Sequence, residues 1–104
     1  MDKSILQEFR NVAQKVLPSG SQVWLYGSRA RGEARADSDW DLLILVQKSS
    51  ISSADEDSFS YPFVLWGWKN KADVSPLLYT YEDWARRSAS PFYENVEHDK
   101  IAIL

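Results

Sequence analysis

Hydrophobic residues near the N-terminus recur at the three- and four-residue spacing of an amphipathic helix. The set consists of Ile5, Phe9, Val12, Ala13 and Val16. This spacing places them on one helical face. Ser4 and Gln7 are spaced as a capping box, and Pro18-Ser19-Gly20 ends the pattern. We therefore predict a first helix that covers one face of a sheet.

Two apolar runs, Val23 to Tyr26 and Leu42 to Val46, are typical of short buried strands. Between them, Gly27 and Ser28 indicate a tight turn and the start of a helix. A third run, from Asp73 to Tyr79, contains a proline that cannot donate to a strand ladder, which favours an edge position. The pattern predicts an α/β (α+β) fold, with a small mixed sheet of three or more strands flanked by helices.

The segment from residue 47 to residue 60 is polar and predicts a linker. Within it, Ser53 and Glu56 could cap a helix, which we expect to be interrupted near Pro62. The acidic run 55–57 has serine neighbours and is typical of a solvated loop more than of a metal site.

Two further helix starts follow the third strand. Thr80 with Asp83 predicts a capped helix, and Ser90-Pro91 predicts a short helical turn. His98 is the only histidine and has charged neighbours, so we expect it at the surface.

Candidate chemistry begins with the alternating acidic residues before the second strand. In an extended chain Asp39 and Asp41 point to the same side, and two like charges held that close repel. A cation would neutralise them, and Mg²⁺ prefers carboxylate oxygens together with water and phosphate. The alternative is a solvated acidic strand entrance.

The turn at Gly27 and Ser28 offers close backbone approach, a hydroxyl and free N–H groups, all suited to phosphate oxygens. Ser28 could equally be an ordinary helix cap. The three nearby arginines could offset the charge of a triphosphate, or form a solvated face paired with Glu33 and Asp37. They are Arg29, Arg31 and Arg35.

These residues together resemble the minimal nucleotidyltransferase family of the DNA polymerase β superfamily. The family pattern is Gly-Ser-x-Ala-x-Gly, a five-residue spacer and Ser-Asp-x-Asp-Leu; 27–32 and 38–42 match every fixed position. The resemblance implies a polymerase β palm-like fold. It also assigns Asp73 as a third carboxylate on a later strand, and 90–96 as the closing segment of stand-alone members.

The resemblance implies a function for each candidate residue. Asp39 and Asp41 would hold one or two Mg²⁺ ions, with Asp73 binding the second ion or acting as general base. Ser28 and the backbone of Gly27 would anchor the β- and γ-phosphates of ATP. Arg29 and Ser38 would also lie in this phosphate-binding region. The resemblance implies transfer of AMP from ATP to a hydroxyl, which in some members of the family is a tyrosine of a HEPN toxin partner, with this chain as the antitoxin.

Two alternatives remain open. One is a nucleotidyltransferase for a small molecule such as an aminoglycoside, where a homodimer would supply the missing pocket. The other is a non-catalytic module that neutralises its toxin by contact alone.

Composition sets the remaining expectations. With 104 residues the chain should form one domain, 1–104, and 44% hydrophobic residues favour a folded protein. A net charge of −3 argues against a general nucleic-acid binder. The absence of cysteine, of a signal-peptide pattern and of a long apolar run favours a cytoplasmic protein without a membrane span. The chain has more aromatic residues than its short strands and helices are expected to bury. Some of them should lie in the core, and a contiguous exposed patch would mark a protein partner or a nucleobase platform. The set comprises Trp66, Trp68, Tyr79, Tyr81, Trp84, Phe92 and Tyr93.

Overall fold

The centre of the fold is a four-stranded mixed sheet with the order β3-β2-β1-β4. The computed structural model describes residues 3–104, with Lys3 described by its backbone alone. The strands are β1 (Gln22–Tyr26), β2 (Trp40–Val46), β3 (Val74–Thr80) and β4 (Ile101–Ala102). β1 pairs antiparallel with β2 and β4, whereas β2 pairs parallel with β3. The predicted mixed sheet and the edge position of β3 are confirmed.

Six α-helices and one π-helical segment flank this sheet in the described part of the chain. They are α1 (Lys3–Val16), α2 (Ser28–Arg31), α3 (Ser53–Asp55), the π-helix (Glu56–Ser60), α4 (Tyr61–Lys69), α5 (Tyr81–Ala85) and α6 (Pro91–Asp99). The first helix is confirmed, but its predicted cap at Ser4 is wrong. Helix α1 already includes Lys3, so Ser4 lies inside its first turn and not before it.

The two faces of the sheet bury separate apolar clusters because successive strand residues point to opposite sides. On the first face, α1 and α4 cover alternate residues of the strands, with Phe9 and Phe63 fully buried. On the second face, Leu43 and Leu45 pack with Trp84 of α5 and Val96 of α6. Strand β2 contributes to both clusters, which explains its continuous apolar run.

The predicted interruption near Pro62 is wrong in form. The chain stays helical from Ser53 to Lys69, and a π-helical turn precedes the proline. Tyr61 N donates to Glu56 O in the wider π spacing. Proline lacks an N–H and crowds a regular α-turn, so a widened turn accommodates it without breaking the helix.

The predicted solvated loop at 55–57 is also wrong. Ser52, one residue earlier than expected, forms a capping box with Asp55. Asp55 is buried and pairs with Lys48 Nζ at 2.7 Å. Its hydrogen bonds, first with Lys48, lower the pKa of Asp55, so this carboxylate belongs to a helix start.

The later helix starts are confirmed. Thr80 Oγ1 accepts from Asp83 N at 3.0 Å, and Ser90 Oγ accepts from Tyr93 N at 3.1 Å. Helix α6 runs for nine residues, longer than the short turn we expected. His98 is exposed as predicted. Across residues 3–104, none of the helices has the length and apolar character needed to cross a membrane.

Candidate active site

The turn between β1 and α2 lies directly against the acidic end of β2. Tyr26, the last residue of β1, pairs with Asp41. Gly27 then turns the chain with φ 77° and ψ −159°, and its carbonyl accepts from Ala30 N and Arg31 N at 3.1 Å. A Cβ at Gly27 would lie 2.5 Å from Asp41 Oδ2. Glycine is therefore needed both for the positive φ and for the approach to the carboxylate.

Asp39 and Asp41 come together on one side of the chain. Between them, Trp40 turns to the opposite side and is buried in the first cluster. Partial burial, and secondly the negative charge of Asp39, raise the pKa of Asp41, while Arg31 lowers it. The pair thus carries excess negative charge close to the sheet. Two such hard oxygen donors fit a divalent cation such as Mg²⁺.

Asp73 lies at the same edge of the sheet, immediately before β3. Trp40 N donates to Asp73 O at 2.8 Å, and Trp40 pairs with Val74 in the parallel register. Asp73 is thereby the neighbour of Asp39 across the two strands, with an exposed side chain. Within residues 3–104, no three His, Cys, Asp or Glu side chains form a group suited to a metal ion. The structure brings Asp39 and Asp41 together and leaves Asp73 beside the pair.

Ser75 is a site residue that the sequence pattern did not single out. Its Oγ donates to Asp39 Oδ2 at 3.4 Å. It is the second residue of β3 and pairs with Asp41 in the parallel register. The sequence carried no signal for it, because the register between β2 and β3 is set by the fold.

Arg29 and Ser38 make contacts within the loop that leads into β2, and the phosphate contacts expected of them stay a prediction. Arg29 Nη2 donates to Ser38 O at 2.8 Å and to Ala36 O at 3.3 Å, and the guanidinium lies 4.2 Å from the Trp40 ring centroid. Ser38 Oγ accepts from Arg35 N at 2.8 Å. These contacts hold the loop that leads into β2. They fix the position of the aspartates.

Arg31 is the arginine that the structure places beside the acidic pair. Its Nη1 donates to Asp99 Oδ2 at 2.7 Å and its Nε to Glu33 Oε2 at 3.4 Å. The predicted pairing with Glu33 is present. Asp99 was missed, because it lies 68 residues away in the sequence.

Aromatic residues form the wall of the site on the second face of the sheet. The rings of Tyr26 and Phe92 meet edge to face at 5.8 Å, and Phe92 also contacts Trp84 at 6.1 Å. Burial, followed by the charges of Asp41 and Tyr79, raises the pKa of Tyr26 to about 12. Tyr26 therefore stays neutral at physiological pH. Phe92 remains 42% exposed, the one large apolar side chain of this wall open to solvent among the described residues.

A groove of about 550 Å³ runs along the first-face side of the loop. Arg29, Ser38 and Asp73 are among its lining residues, together with Lys71. Asp39 and Asp41 do not line it. The groove and the acidic pair thus lie on either side of the chain at Trp40.

Comparison with solved structures supports the fold. A toxin–antitoxin structure with AMP-PNP is 16% identical, with a TM-score of 0.68 over 95% of this chain and 72% of that chain. A mutant of the toxin–antitoxin MntA-HpeT is 14% identical, with the same TM-score of 0.68 and the same coverage of 95% and 72%. A structure described as a proposed minimal nucleotidyltransferase is 25% identical, with a TM-score of 0.61 over 97% and 95% of the two chains.

Comparison of sequences identifies the family. No curated protein sequence matches the chain at a significant level. A family model described as "Nucleotidyltransferase domain" matches residues 6–99, which include the glycine turn, both aspartates of the pair and Asp73. The chain therefore belongs to the nucleotidyltransferase domain family.

Proposed function

We propose that this chain transfers AMP from Mg²⁺-bound ATP to a hydroxyl group of a protein partner, a tyrosine of a HEPN toxin, and acts as its antitoxin. The observation that carries the proposal is the acidic pair Asp39 and Asp41 held against the glycine turn, inside a chain of the nucleotidyltransferase family. The similarity to toxin–antitoxin structures, one of them with AMP-PNP, supports the choice of nucleotide and partner.

Asp39 and Asp41 would hold the divalent cation, because they are adjacent carboxylates whose charges are not compensated by a bonded cationic side chain among the described residues. When bound, Mg²⁺ neutralises phosphate charge and stabilises the departing pyrophosphate. Ser28 and the backbone at Gly27 would contact the β- and γ-phosphates. Ser75 would orient the Asp39 carboxylate through its hydrogen bond.

In the reaction the acceptor oxygen forms a bond to the α-phosphorus, and the bond from that phosphorus to the bridging oxygen of the β-phosphate breaks. Pyrophosphate leaves with that electron pair. Asp73, exposed beside the pair, would accept the proton of the attacking hydroxyl. The neutral Tyr26 and the exposed Phe92 would form the wall against which donor or acceptor packs.

The test incubates the chain and its partner toxin with Mg²⁺ and ATP labelled on the α-phosphorus, and in parallel with ATP labelled on the γ-phosphorus. Transfer of AMP predicts label on the toxin from the first nucleotide alone, with release of pyrophosphate. Label from the γ-phosphorus would show phosphoryl transfer and overturn the proposal. Absence of label from both nucleotides, under conditions where the two proteins bind, would also overturn it.

A matched pair of variants separates chemistry from contact. The double variant Asp39→Asn with Asp41→Asn should bind the toxin but neither label nor neutralise it. Asp37→Asn removes a nearby exposed carboxylate outside the pair and should behave as the wild type. Neutralisation that survives the double change would show that the chain acts by contact alone.

A further inference from the structure

Helix α4 leaves two large aromatic side chains uncovered on its outer side. Phe63 and Gly67 are buried and form the side that packs into the fold. Tyr61 and Trp68 are seven residues apart, which is two helical turns, and lie on the opposite side. They are 43% and 64% exposed, and their rings meet edge to face at 5.9 Å. Contiguous exposed apolar side chains of this size mark an interaction surface.

A groove runs along each side of this aromatic ridge. The first, of about 430 Å³, separates α4 from α1 and has Leu65 among its lining residues. The second, of about 290 Å³, separates the ridge from Pro76 of the edge strand β3 and includes Val64. We call the ridge and its half-buried flanks the α4 surface; it consists of Tyr61, Val64, Leu65 and Trp68. A ridge between two grooves is a shape that a second helix can pack against.

The two ends of the α4 surface carry opposite charges. Glu56 and Asp57 of the π-helix are exposed at the N-terminal end. Lys69 and Lys71 are exposed at the C-terminal end. Among residues 4–104, none of these four side chains forms an ion pair. Such a surface is complementary to itself when a second copy runs in the opposite direction, because each acidic end then meets a basic end.

We propose that the α4 surface is the interface of a two-fold symmetric dimer of this chain, in which the two α4 helices lie antiparallel. The centre of the surface lies between Val64 and Leu65, so Tyr61 of each copy faces Trp68 of the other. Glu56 and Asp57 of each copy then lie opposite the two lysines of the other copy. A two-fold axis makes every one of these contacts twice.

The arrangement of the α4 surface has the anatomy of a specific interface. The chain stays helical from Ser53 to Lys69, a length of about 25 Å at 1.5 Å per residue. The aromatic side chains lie along the middle of this length, and the charged side chains lie at its ends. Aromatic residues at the centre contribute most of the binding energy of an interface, whereas charges at the rim select the orientation. A second copy supplies both parts by symmetry.

The first test is sedimentation equilibrium of the full chain at concentrations from about 1 μM to about 1 mM. The wild type should change from the chain mass of 12.0 kDa to twice that mass as the concentration rises. Trp68→Ala should raise the dissociation constant of the dimer by about tenfold or more, because it removes a central aromatic side chain. Tyr61→Ala should act in the same direction.

Charge reversal tests the antiparallel arrangement itself. One variant combines Glu56→Lys with Asp57→Lys, and the other combines Lys69→Glu with Lys71→Glu. Each variant alone should remain monomeric, because ends of like charge would meet at both contacts. An equimolar mixture should form a dimer that contains one copy of each, because every contact in it again joins opposite charges.

Glu82→Lys with Asp83→Lys is the matched control, because it reverses two acidic side chains in the first turn of another helix, α5. This variant should dimerise as the wild type does. Thermal denaturation identifies any variant that is not folded. If a charge-reversed variant does not fold, Trp68→Ala and Tyr61→Ala still test the interface, since both side chains are exposed.

Three results would overturn the proposal. The first is a wild-type chain that stays monomeric at about 1 mM. The second is a dimer whose dissociation constant is the same in the wild type and in folded Trp68→Ala. The third is failure of the two charge-reversed variants, both folded, to associate when mixed. A monomeric wild type that binds its toxin, and loses this binding in Trp68→Ala, would assign the α4 surface to the toxin and not to a second copy.

Discussion

Gly27 and Asp41 are so close that no side chain fits between them: an alanine Cβ at position 27 would lie 2.5 Å from Asp41 Oδ2. The two residues belong to different parts of the family pattern, one to the turn and one to the acidic pair. Their contact joins the proposed phosphate-binding turn to the proposed metal ligand. Any residue larger than glycine must therefore displace the carboxylate or the turn.

Gly27→Ala should lower both stability and cation binding. The positive φ of 77° alone costs an L-residue about 1–3 kcal/mol, and the clash with Asp41 adds to this. Because the carboxylate must move, the variant should also lose the stabilisation that Mg²⁺ gives to the wild type. Urea denaturation with and without Mg²⁺ measures both effects.

Gly32→Ala is the matched control for this change. Gly32 has a similar φ of 74°, but a Cβ there meets nothing within 4 Å. The Gly32→Ala variant should lose stability through backbone strain yet keep the stabilisation that Mg²⁺ gives to the wild type. An equal loss of the Mg²⁺ response in both variants would show that the contact between Gly27 and Asp41 does not matter.

Asp41→Asn should stabilise the metal-free fold at neutral pH while abolishing transfer. Burial, and then the charge of Asp39, raise the pKa of Asp41 above its usual value of 3.8. The folded state therefore holds the proton more tightly than the unfolded state, and this stabilisation is complete below the unfolded pKa. It is lost as pH rises through the folded pKa, where the ionised carboxylate becomes unfavourable. Asparagine carries no charge, so the Asp41→Asn variant should become more stable than the wild type as the pH rises from acidic to neutral.

The measurement is the Tm of both proteins across that pH range in the presence of a chelator. Asp37→Asn, in the exposed loop, gives the effect of removing one negative charge outside the pair. With Mg²⁺ at about a hundredfold excess over its Kd, the free energy of unfolding of the wild type should rise by about 2.7 kcal/mol, and that of Asp41→Asn by much less. A constant difference in Tm at every pH would contradict the role assigned to the charge of Asp41.

Local patterns predicted the elements that carry the site. The continuous apolar run of β2, the alternation of Asp39 and Asp41 and the glycine turn each follow from rules that act within a few residues. The π-helical turn before Pro62 did not follow, because sequence signals indicate where a regular helix is disfavoured but not how the chain relieves the conflict. The break predicted near Pro62 is therefore a widened helical turn in the structure.

The contacts missing from the sequence interpretation are those between distant segments. Period-two alternation leaves the partners of a strand undetermined, so the pairing of Trp40 with Val74 could not be deduced. The bond between Arg31 and Asp99 depends on how α6 packs against the sheet. The contacts of Arg29 with Ser38 and Trp40 could not be deduced either, because they depend on how the loop folds around its side chain.

Arg29→Met should destabilise the fold by about 1–3 kcal/mol, because it removes charge-assisted hydrogen bonds to the loop and the contact with Trp40. Methionine keeps much of the length and apolar contact of the side chain. Chemical denaturation measures the loss. Arg35→Met, at an exposed position of the same loop, should change stability by less than about 0.5 kcal/mol. Equal effects of the two changes would show that Arg29 does not hold the loop.

Asp73→Asn should separate chemistry from binding. If Asp73 accepts the proton of the attacking hydroxyl, its loss should lower kcat by about 100-fold or more while Mg²⁺-AMP-PNP still binds. Asp39→Asn should instead lose both, because Asp39 belongs to the pair that holds the cation. Ser75→Ala, which removes the 3.4 Å hydrogen bond to Asp39, should produce a smaller loss of cation affinity. Nucleotide binding by calorimetry and single-turnover transfer measure the two properties independently. If Asp73→Asn lost cation binding to the same extent as Asp39→Asn, Asp73 would be a third metal ligand and the proton would have to leave by another route.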